Sequence, residues 1–112
     1  MPRAATTSDA FNAVAEPRRR EILIFLALDE HPVGAIVAAL GLGQPSVSKH
    51  LGVLRRVGLV RSRRRGRQIL YRTNAAAIRP LYEWTSTFER FWRNQMSQVK
   101  ERAESKTELK KT

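Results

Sequence analysis

A chain of 112 residues, 42% of them hydrophobic and 28% charged, is the size of one domain with a single core. It has no cysteine, which excludes disulfides, zinc fingers and thiol redox switches. It has neither a run of about 18 apolar residues nor an apolar leader, which predicts a cytoplasmic protein. The net charge is +11, and residues 31–82 carry ten basic and no acidic side chains, which favours a polyanionic partner over an ordinary solvated basic face.

The first part of the chain predicts two helices. Residues 1–7 are expected to be disordered, and Ser8-Asp9 is expected to cap a helix from Asp9 to about Ala15. A second helix begins at Pro17, because proline is tolerated in the first helical turn, and residues 29–32 break it. Its apolar side chains are expected to form one broad buried stripe: Ile22, Leu23, Phe25, Leu26 and Leu28.

A short turn that contains glycine separates the third and fourth predicted helices. The third covers about Val33 to Leu40, with Ile36 and Val37 on its apolar face, and the turn is residues 41–43. The fourth runs from Gln44 to about Val57. Its core-facing positions recur at helical spacing: Val47, Leu51, Leu54 and Gly58. Two helices joined in this way are typical of the helix-turn-helix motif.

After the fourth helix the apolar period changes to that of a strand. Residues 59–64 and 67–73 predict an antiparallel hairpin with its turn at Arg65-Gly66. One long helix, capped by Asn74, is expected from about Ala75 to Arg102, and residues 105–112 are expected to form a charged, disordered tail. Residues 8–104 are therefore predicted to be one domain, mainly α-helical with a β-hairpin wing.

Polar and basic side chains concentrate on the fourth helix and the hairpin. The non-apolar face of the helix offers groups that can reach base edges or phosphates, and an arginine-rich hairpin is too polar for a core and favours the DNA backbone or minor groove. For His50 a half-buried packing role is an open alternative, and His31 is expected to be a plain surface residue. The predicted DNA-binding residues are Gln44, Ser46, Ser48, Lys49, His50, Arg55, Arg63, Arg64, Arg65 and Arg67.

These motifs resemble those of the ArsR-type winged helix-turn-helix repressors over roughly residues 9–100. The resemblance is carried by the recognition-helix stretch 42–51 with Leu54-Arg55 and residues 58–60, by Gly66-Arg67 and Tyr71-Arg72 in the wing, and by residues 15–23 at the start of the second helix. It implies a homodimer, built from the first and last helices, that presents two recognition helices to double-stranded DNA at a palindromic operator.

Two departures from the family pattern concern the recognition helix and metal binding. Gly43 stands where the family often has serine or threonine, so the helix lacks a side-chain N-cap. The third helix has no cysteine pair, and the last helix has no histidine or aspartate. The resemblance therefore implies the branch that senses no metal and carries no cofactor, in which a small molecule, a partner protein or self-regulation replaces the metal.

The last helix carries most of the aromatic residues. One helix with so much apolar surface cannot bury it all against so small a domain, so a second copy is the expected partner; a ligand pocket between subunits is the alternative. The predicted dimer interface comprises Phe11, Val14, Leu81, Trp84, Phe88, Phe91, Trp92 and Met96.

An enzyme is disfavoured because the chain has no cysteine nucleophile, no glycine-rich phosphate loop and no suggestive Ser/His/Asp order. Two other functions stay open beside the repressor. One is a ligand-responsive regulator of the same fold. The other is a non-specific architectural protein on DNA or RNA, although Tyr71 is the only aromatic residue of the hairpin and RNA-binding sheets ordinarily display several.

Overall fold

The computed structural model describes the backbone of residues 7–111 and the side chains of residues 8–104. The elements follow in the order α1 (Thr7–Val14), α2 (Pro17–Phe25), α3 (Val33–Leu40), α4 (Gln44–Arg56), β1 (Val60–Arg65), β2 (Gln68–Thr73), α5 (Ala75–Ser86) and α6 (Glu89–Lys111). The mainly helical architecture with a hairpin wing confirms the predicted fold class. Within the described residues no helix is both long and apolar enough to cross a membrane.

The described part of the chain up to Leu81, residues 7–81, forms one compact unit around a core to which α1, α2, α3, α4 and β1 contribute. The most deeply buried large side chains are Ile22, Leu26, Ile36, Val47, Leu54 and Leu59. All but Leu59, which precedes β1, come from the predicted apolar stripes, because each stripe repeats at the helical period and can face the same interior. Leu28 departs from this pattern. It is 83% exposed, since α2 ends at Phe25 and the periodicity does not extend to residue 28.

The end of α2 is fixed by contacts from β2. The hydroxyl of Thr73 donates a hydrogen bond to the carbonyl of Leu23 at 2.7 Å, and the backbone N–H of Thr73 donates to the carbonyl of Leu26 at 3.0 Å. The last carbonyls of a helix have no partner within the helix, so these bonds satisfy them and attach the base of the wing to α2.

The two strands pair antiparallel from Val60↔Thr73 to Arg65↔Gln68, which leaves Gly66 and Arg67 as a two-residue turn. The prediction placed this turn one residue earlier. Gly66 has a φ of 61°, and a two-residue turn of type II′ requires such a φ at its first central position, where glycine is tolerated at no steric cost.

His31 adds a third segment to the sheet. Its backbone N–H donates to the carbonyl of Tyr71 at 3.0 Å and its carbonyl accepts from the N–H of Tyr71 at 2.9 Å. Its ring stacks on Phe25 with centroids 4.3 Å apart. The expectation of a plain surface residue is therefore wrong, because this stretch of loop before Pro32 is extended and pairs with the open edge of β2.

Residues from Tyr82 onward form a second unit, in which the single long helix that the sequence predicts is divided. The hydroxyls of Thr85, Ser86 and Thr87 each donate to the carbonyl three residues earlier, at 3.0, 2.9 and 2.6 Å. Consecutive hydroxyls of this kind compete with the helical hydrogen-bond ladder, and the helix is interrupted at Thr87 and Phe88. Pro80 lies within α5 without ending it.

The ends of the chain also differ from the prediction. α1 begins at Thr7, so Ser8 and Asp9 lie inside its first turn. The negative charge of Asp9 stabilises the helix there, because the N-terminal end of the helix dipole is positive. The expected disorder of residues 1–6 falls outside the described part of the chain. Residues 105–111 continue α6 instead of forming a disordered tail, because lysine, glutamate and leucine are strong helix formers.

Candidate nucleic-acid interface

The turn between α3 and α4 is set by two glycines. Gly41 ends α3 in the left-handed conformation, with a φ of 66°, and its N–H donates to the carbonyl of Val37 at 3.0 Å; glycine adopts this conformation with little strain. Gly43 is the N-cap of α4 and, as predicted, provides no side-chain hydrogen bond there. Pro45 lies in the first turn of α4, where its missing N–H costs nothing.

α4 buries one face and exposes the other. Val47, Leu51 and Leu54 are buried and fix the rotation of the helix on the core. As a consequence, five of the six predicted DNA-binding residues of α4 are exposed: Gln44, Ser46, Ser48, Lys49 and Arg55. The prediction missed Arg56, which is also exposed and follows Lys49 by two helical turns. The sequence signal for Arg56 was its spacing of seven residues from Lys49, which places both on the same side of a helix.

His50 lies apart from this exposed group. Its side chain is 15% exposed, and its Nε2 is 4.0 Å from Oε2 of Glu16. The other ring nitrogen, Nδ1, is buried without a hydrogen-bond partner. These surroundings favour a half-buried packing role for His50 over a contact with DNA. A contact with DNA would require the ring to turn away from α2.

Glu16 holds α2 in place from its N-terminal end. Its carboxylate accepts a hydrogen bond from the backbone N–H of Arg19 at 3.0 Å, so it caps α2. Desolvation raises the pKa of Glu16, but the N–H donors of Arg19 and Arg18, together with electrostatic interactions with His50 and Arg19, outweigh it, and the pKa lies below its ordinary value. The sequence signal was a glutamate directly before Pro17 at the first helical position.

The arginines of the wing divide between two faces of the hairpin. Cross-strand partners share a face of the hairpin. One face carries Val60, Thr73 and Tyr71 and is turned toward the core, where Val60 and Thr73 are buried. Further along, this face ends in the exposed pair Arg64 and Ile69. The opposite face, which we call the outer face of the wing, carries Arg61, Arg63, Arg65 and Arg72 together with Leu70 and Gln68.

Arg63 is already engaged within the protein. Its Nε donates to Oε2 of Glu30 at 2.5 Å, and a second guanidinium nitrogen donates to Oε1 at 2.7 Å. These bonds lower the pKa of Glu30 below its usual range, with smaller contributions from Arg72 and Arg65, and they raise the pKa of Arg63. A DNA phosphate would have to compete with Glu30 for Arg63. The wing arginines with no carboxylate hydrogen-bonded to them in the described structure are Arg61, Arg64, Arg65, Arg67 and Arg72.

The residues predicted for a dimer interface lie in both units, and each unit is considered alone. In the first, Phe11, Val14 and Leu81 are half-buried. In the second, Trp84 and Phe88 meet edge to face at 5.5 Å, and Phe88 stacks on Trp92 at 6.3 Å. The side chains of Trp84, Phe88, Phe91, Trp92 and Met96 are nevertheless 42–69% exposed, so the second unit displays an apolar stripe. Among the side chains of residues 8–104, the structure groups no three of histidine, aspartate or glutamate in a way that suits a metal ion.

Comparison with known proteins places these features in context. The sequence profile of the bacterial regulatory proteins of the arsR family matches residues 16–62, from the N-cap of α2 into β1. The transcriptional repressor SdpR of Bacillus subtilis (strain 168) is 28% identical over 81 residues, which are 72% of this chain and 90% of SdpR. The biofilm growth-associated repressor of Xylella fastidiosa (strain Temecula1) is 36% identical over 74 residues; the match covers 66% of this chain and 65% of that repressor, less than two thirds of its length.

A solved structure agrees in sequence and in fold. The homodimeric winged helix-turn-helix DNA-binding domain of a Mycobacterium bovis protein is 32% identical, and the match covers 73% of this chain and 76% of that domain with a TM-score of 0.62. Because the hairpin follows a helix-turn-helix here as well, α4 corresponds to the recognition helix of that architecture and β1–β2 to its wing.

Proposed function

The chain belongs to the ArsR family of bacterial regulatory proteins, and we propose that it is a repressor that binds a palindromic operator as a homodimer without a metal cofactor. Members of this family are DNA-binding transcriptional regulators and not enzymes. The direction of regulation is carried over from the names of the two relatives above, both repressors. A promoter of its own gene is one candidate operator.

The observation that carries this proposal is the exposed polar face of α4. Core packing of Val47, Leu51 and Leu54 on one side leaves Gln44, Ser46, Ser48 and Lys49 free at the N-terminal half of the helix. In helix-turn-helix proteins this is the part of the recognition helix that reaches base edges in the major groove. Side-chain amides and hydroxyls read the pattern of donors and acceptors there, whereas a lysine or arginine also neutralises phosphates.

The wing is proposed to bind the DNA backbone. Arg64 and the residues at the turn, Arg65 and Arg67, lie at the far end of the hairpin from the core and are exposed. Guanidinium groups in that position neutralise phosphates or enter a narrow minor groove, and phosphate contacts carry no direct information about sequence. Arg63 is left out of this set because Glu30 engages it.

The second copy is proposed to bind through the apolar stripe of α5 and α6. The stripe lies within residues 84–96 and is largely exposed, whereas monomeric proteins rarely expose large apolar patches. A two-fold dimer buries the same patch on both chains and presents two recognition helices about 34 Å apart, which matches half-sites one DNA turn apart. The homodimeric domain from M. bovis supports a dimer, although not this particular interface.

The test compares two pairs of variants on operator and on random duplex DNA across a salt series. Gln44→Ala and Ser46→Ala are expected to cost about 1–3 kcal/mol on the operator and to leave binding to random DNA nearly unchanged. Arg64→Ala and Arg67→Ala are expected to weaken both complexes alike and to reduce the salt slope by about one unit for each phosphate that is no longer neutralised.

An exposed arginine of α6, Arg90, provides the control, because Arg90→Ala removes the same charge outside the proposed interface. If the wing variants change the preference for operator over random DNA and the α4 variants do not, then the wing reads the sequence and α4 binds the backbone, which is the reverse of the proposal. If no variant distinguishes operator from random DNA, the architectural alternative replaces the repressor.

A further inference from the structure

We propose that the outer face of the wing holds a binding site for a phosphate-class anion, in an open pocket between Arg61, Arg72 and the start of α5. This site differs from the proposed DNA contacts on α4 and at the wing turn, and nothing in the family assignment implies it.

The pocket is formed at the base of the wing. Its volume is about 460 Å³, and it is lined by Ala27 and Glu30, by residues of both strands and by Asn74 and Ala75. Sites for small ligands generally occupy about 300–1,000 Å³, so there is room for a phosphate group and for the molecule that carries it. All of these residues belong to the first unit of the chain.

The charge of the pocket is unbalanced. Three guanidinium groups line it, those of Arg61, Arg63 and Arg72, against the single carboxylate of Glu30. Arg63 takes both carboxylate oxygens of Glu30 in a bidentate pair. The remaining two arginines therefore have no carboxylate hydrogen-bonded to them in the described structure, and the pocket retains two uncompensated positive charges.

The two uncompensated arginines are held next to each other by the sheet. Arg61 and Arg72 are direct cross-strand partners, and such partners have Cβ atoms about 4.5–5.5 Å apart. Like charges in this arrangement are destabilising, and an anion between them removes the repulsion. Two guanidinium forks offer paired N–H donors to the oxygens of one phosphate, a geometry that suits arginine better than lysine.

The backbone that carries these two arginines is fixed from both sides. Next to Arg72, the N–H and carbonyl of Tyr71 pair with His31, and Thr73 is hydrogen-bonded to α2. At the other end of the pocket, the side chain of Asn74 donates to the carbonyl of Gly58 at 3.0 Å. The site is thus built on a paired sheet and not on a loose loop, which reduces the ordering that binding requires.

The experiment is a titration of the intact protein, without DNA, with inorganic phosphate at constant ionic strength, followed by backbone amide NMR. The signals of Arg61 and of residues 72–75 are expected to shift in a saturable way. The double variant Arg61→Gln with Arg72→Gln is expected to bind phosphate at least about tenfold more weakly. The matched control, Arg90→Gln with Arg102→Gln, loses the same charge on α6 and is expected to bind as the wild type does.

Shifts that grow linearly without saturation, or an equal loss in the control variant, would show a diffuse counterion atmosphere and would overturn the site. Unchanged spectra away from the pocket verify that the variant is folded, and removing two facing like charges is not expected to disturb folding.

A second arm identifies the source of the phosphate group. If the natural ligand is a free phosphate compound, the Arg61/Arg72 variant binds random duplex DNA as the wild type does. If the phosphate belongs to the DNA backbone, the same variant loses affinity for random duplex and shows a smaller salt slope, and added phosphate competes with DNA. Both results presuppose the saturable site, and neither depends on whether the protein is a repressor.

Discussion

Replacing both Phe88 and Trp92 with alanine removes the centre of the apolar stripe through which we propose that two copies associate. A phenylalanine or tryptophan side chain buries about 150–250 Å² when fully enclosed. Phe88 is 42% and Trp92 is 51% exposed, so together they hold roughly 200 Å² of surface that a partner can cover. In a two-fold dimer the area doubles to roughly 400 Å².

At about 25 cal/mol per Å², this area corresponds to at most about 10 kcal/mol of dimer stability. Alanine retains part of the contact, and association immobilises side chains at a cost that reduces the gain. We therefore expect the double variant to lose at least about 4 kcal/mol of dimerisation free energy, which is about a thousandfold in the dimer Kd. Operator binding is expected to fail in parallel, because two half-sites then bind independently.

Sedimentation equilibrium over a concentration series measures the dimer Kd. Circular dichroism checks α6, which should persist because alanine is a better helix former than the tryptophan it replaces there, and Phe88 lies in the interruption before α6. A double substitution on α6 serves as the control. Arg90→Ala with Glu101→Ala changes two exposed residues that the 3.6-residue period places on the far side of the helix, with no change in net charge. If the aromatic variant stays folded and its dimer Kd remains within about tenfold of the wild-type value, the stripe is not the interface and the reasoning from exposed area is refuted.

Three further perturbations follow from individual contacts. Thr73→Val should lower the free energy of unfolding by about 1–3 kcal/mol in chemical denaturation, because the carbonyl of Leu23 loses its donor; an unchanged midpoint would contradict this. Glu30→Gln should reduce stability at neutral pH. The folded-state pKa of Glu30 lies below 4.5, so its contribution is fully present above that value and is lost as the pH falls through the lowered pKa; a difference from wild type that persists at about pH 2 would refute the ion pair as its source. Zinc, copper and nickel should leave operator affinity within tenfold, about 1.4 kcal/mol, of a chelated control, and a larger reproducible shift would indicate a metal sensor.

The sequence was sufficient to predict the fold class and which face of α4 is exposed, because both depend on local periodicity. The apolar residues of α4 recur at helical spacing and all three are buried, which determines the face that remains for Gln44 and Lys49. The turn between α3 and α4 could also be recognised locally, because a helix that ends in a left-handed residue, as α3 does at Gly41, favours glycine there.

What the sequence did not predict depends on contacts between distant residues. Glu30 and Arg63 are 33 positions apart, and only the third segment of the sheet, formed by His31, brings the carboxylate to the outer face. Nothing local distinguishes Arg63 from Arg64, although the strand register directs them to opposite faces. The division of the last helix is different in kind: three consecutive hydroxyl residues were present in the sequence, but the aromatic periodicity on either side of them predicted a continuous helix.

The register of the hairpin divides one run of arginines between two faces with different surroundings. A strand alternates its side chains between two faces, so a run of adjacent arginines cannot form one uniform patch. On one face the base of the wing is buried, and its far end, at Arg64 and Ile69, is exposed. On the other face Arg63 is neutralised by Glu30, while Arg61 and Arg72 remain opposed. A shift of the register by one residue would exchange the faces, remove the pair with Glu30 and place Arg61 against the core. The bridge between His31 and Tyr71 and the hydrogen bonds of Thr73 to α2 oppose such a shift, so the contacts that stabilise the fold also determine which arginines are available for anions.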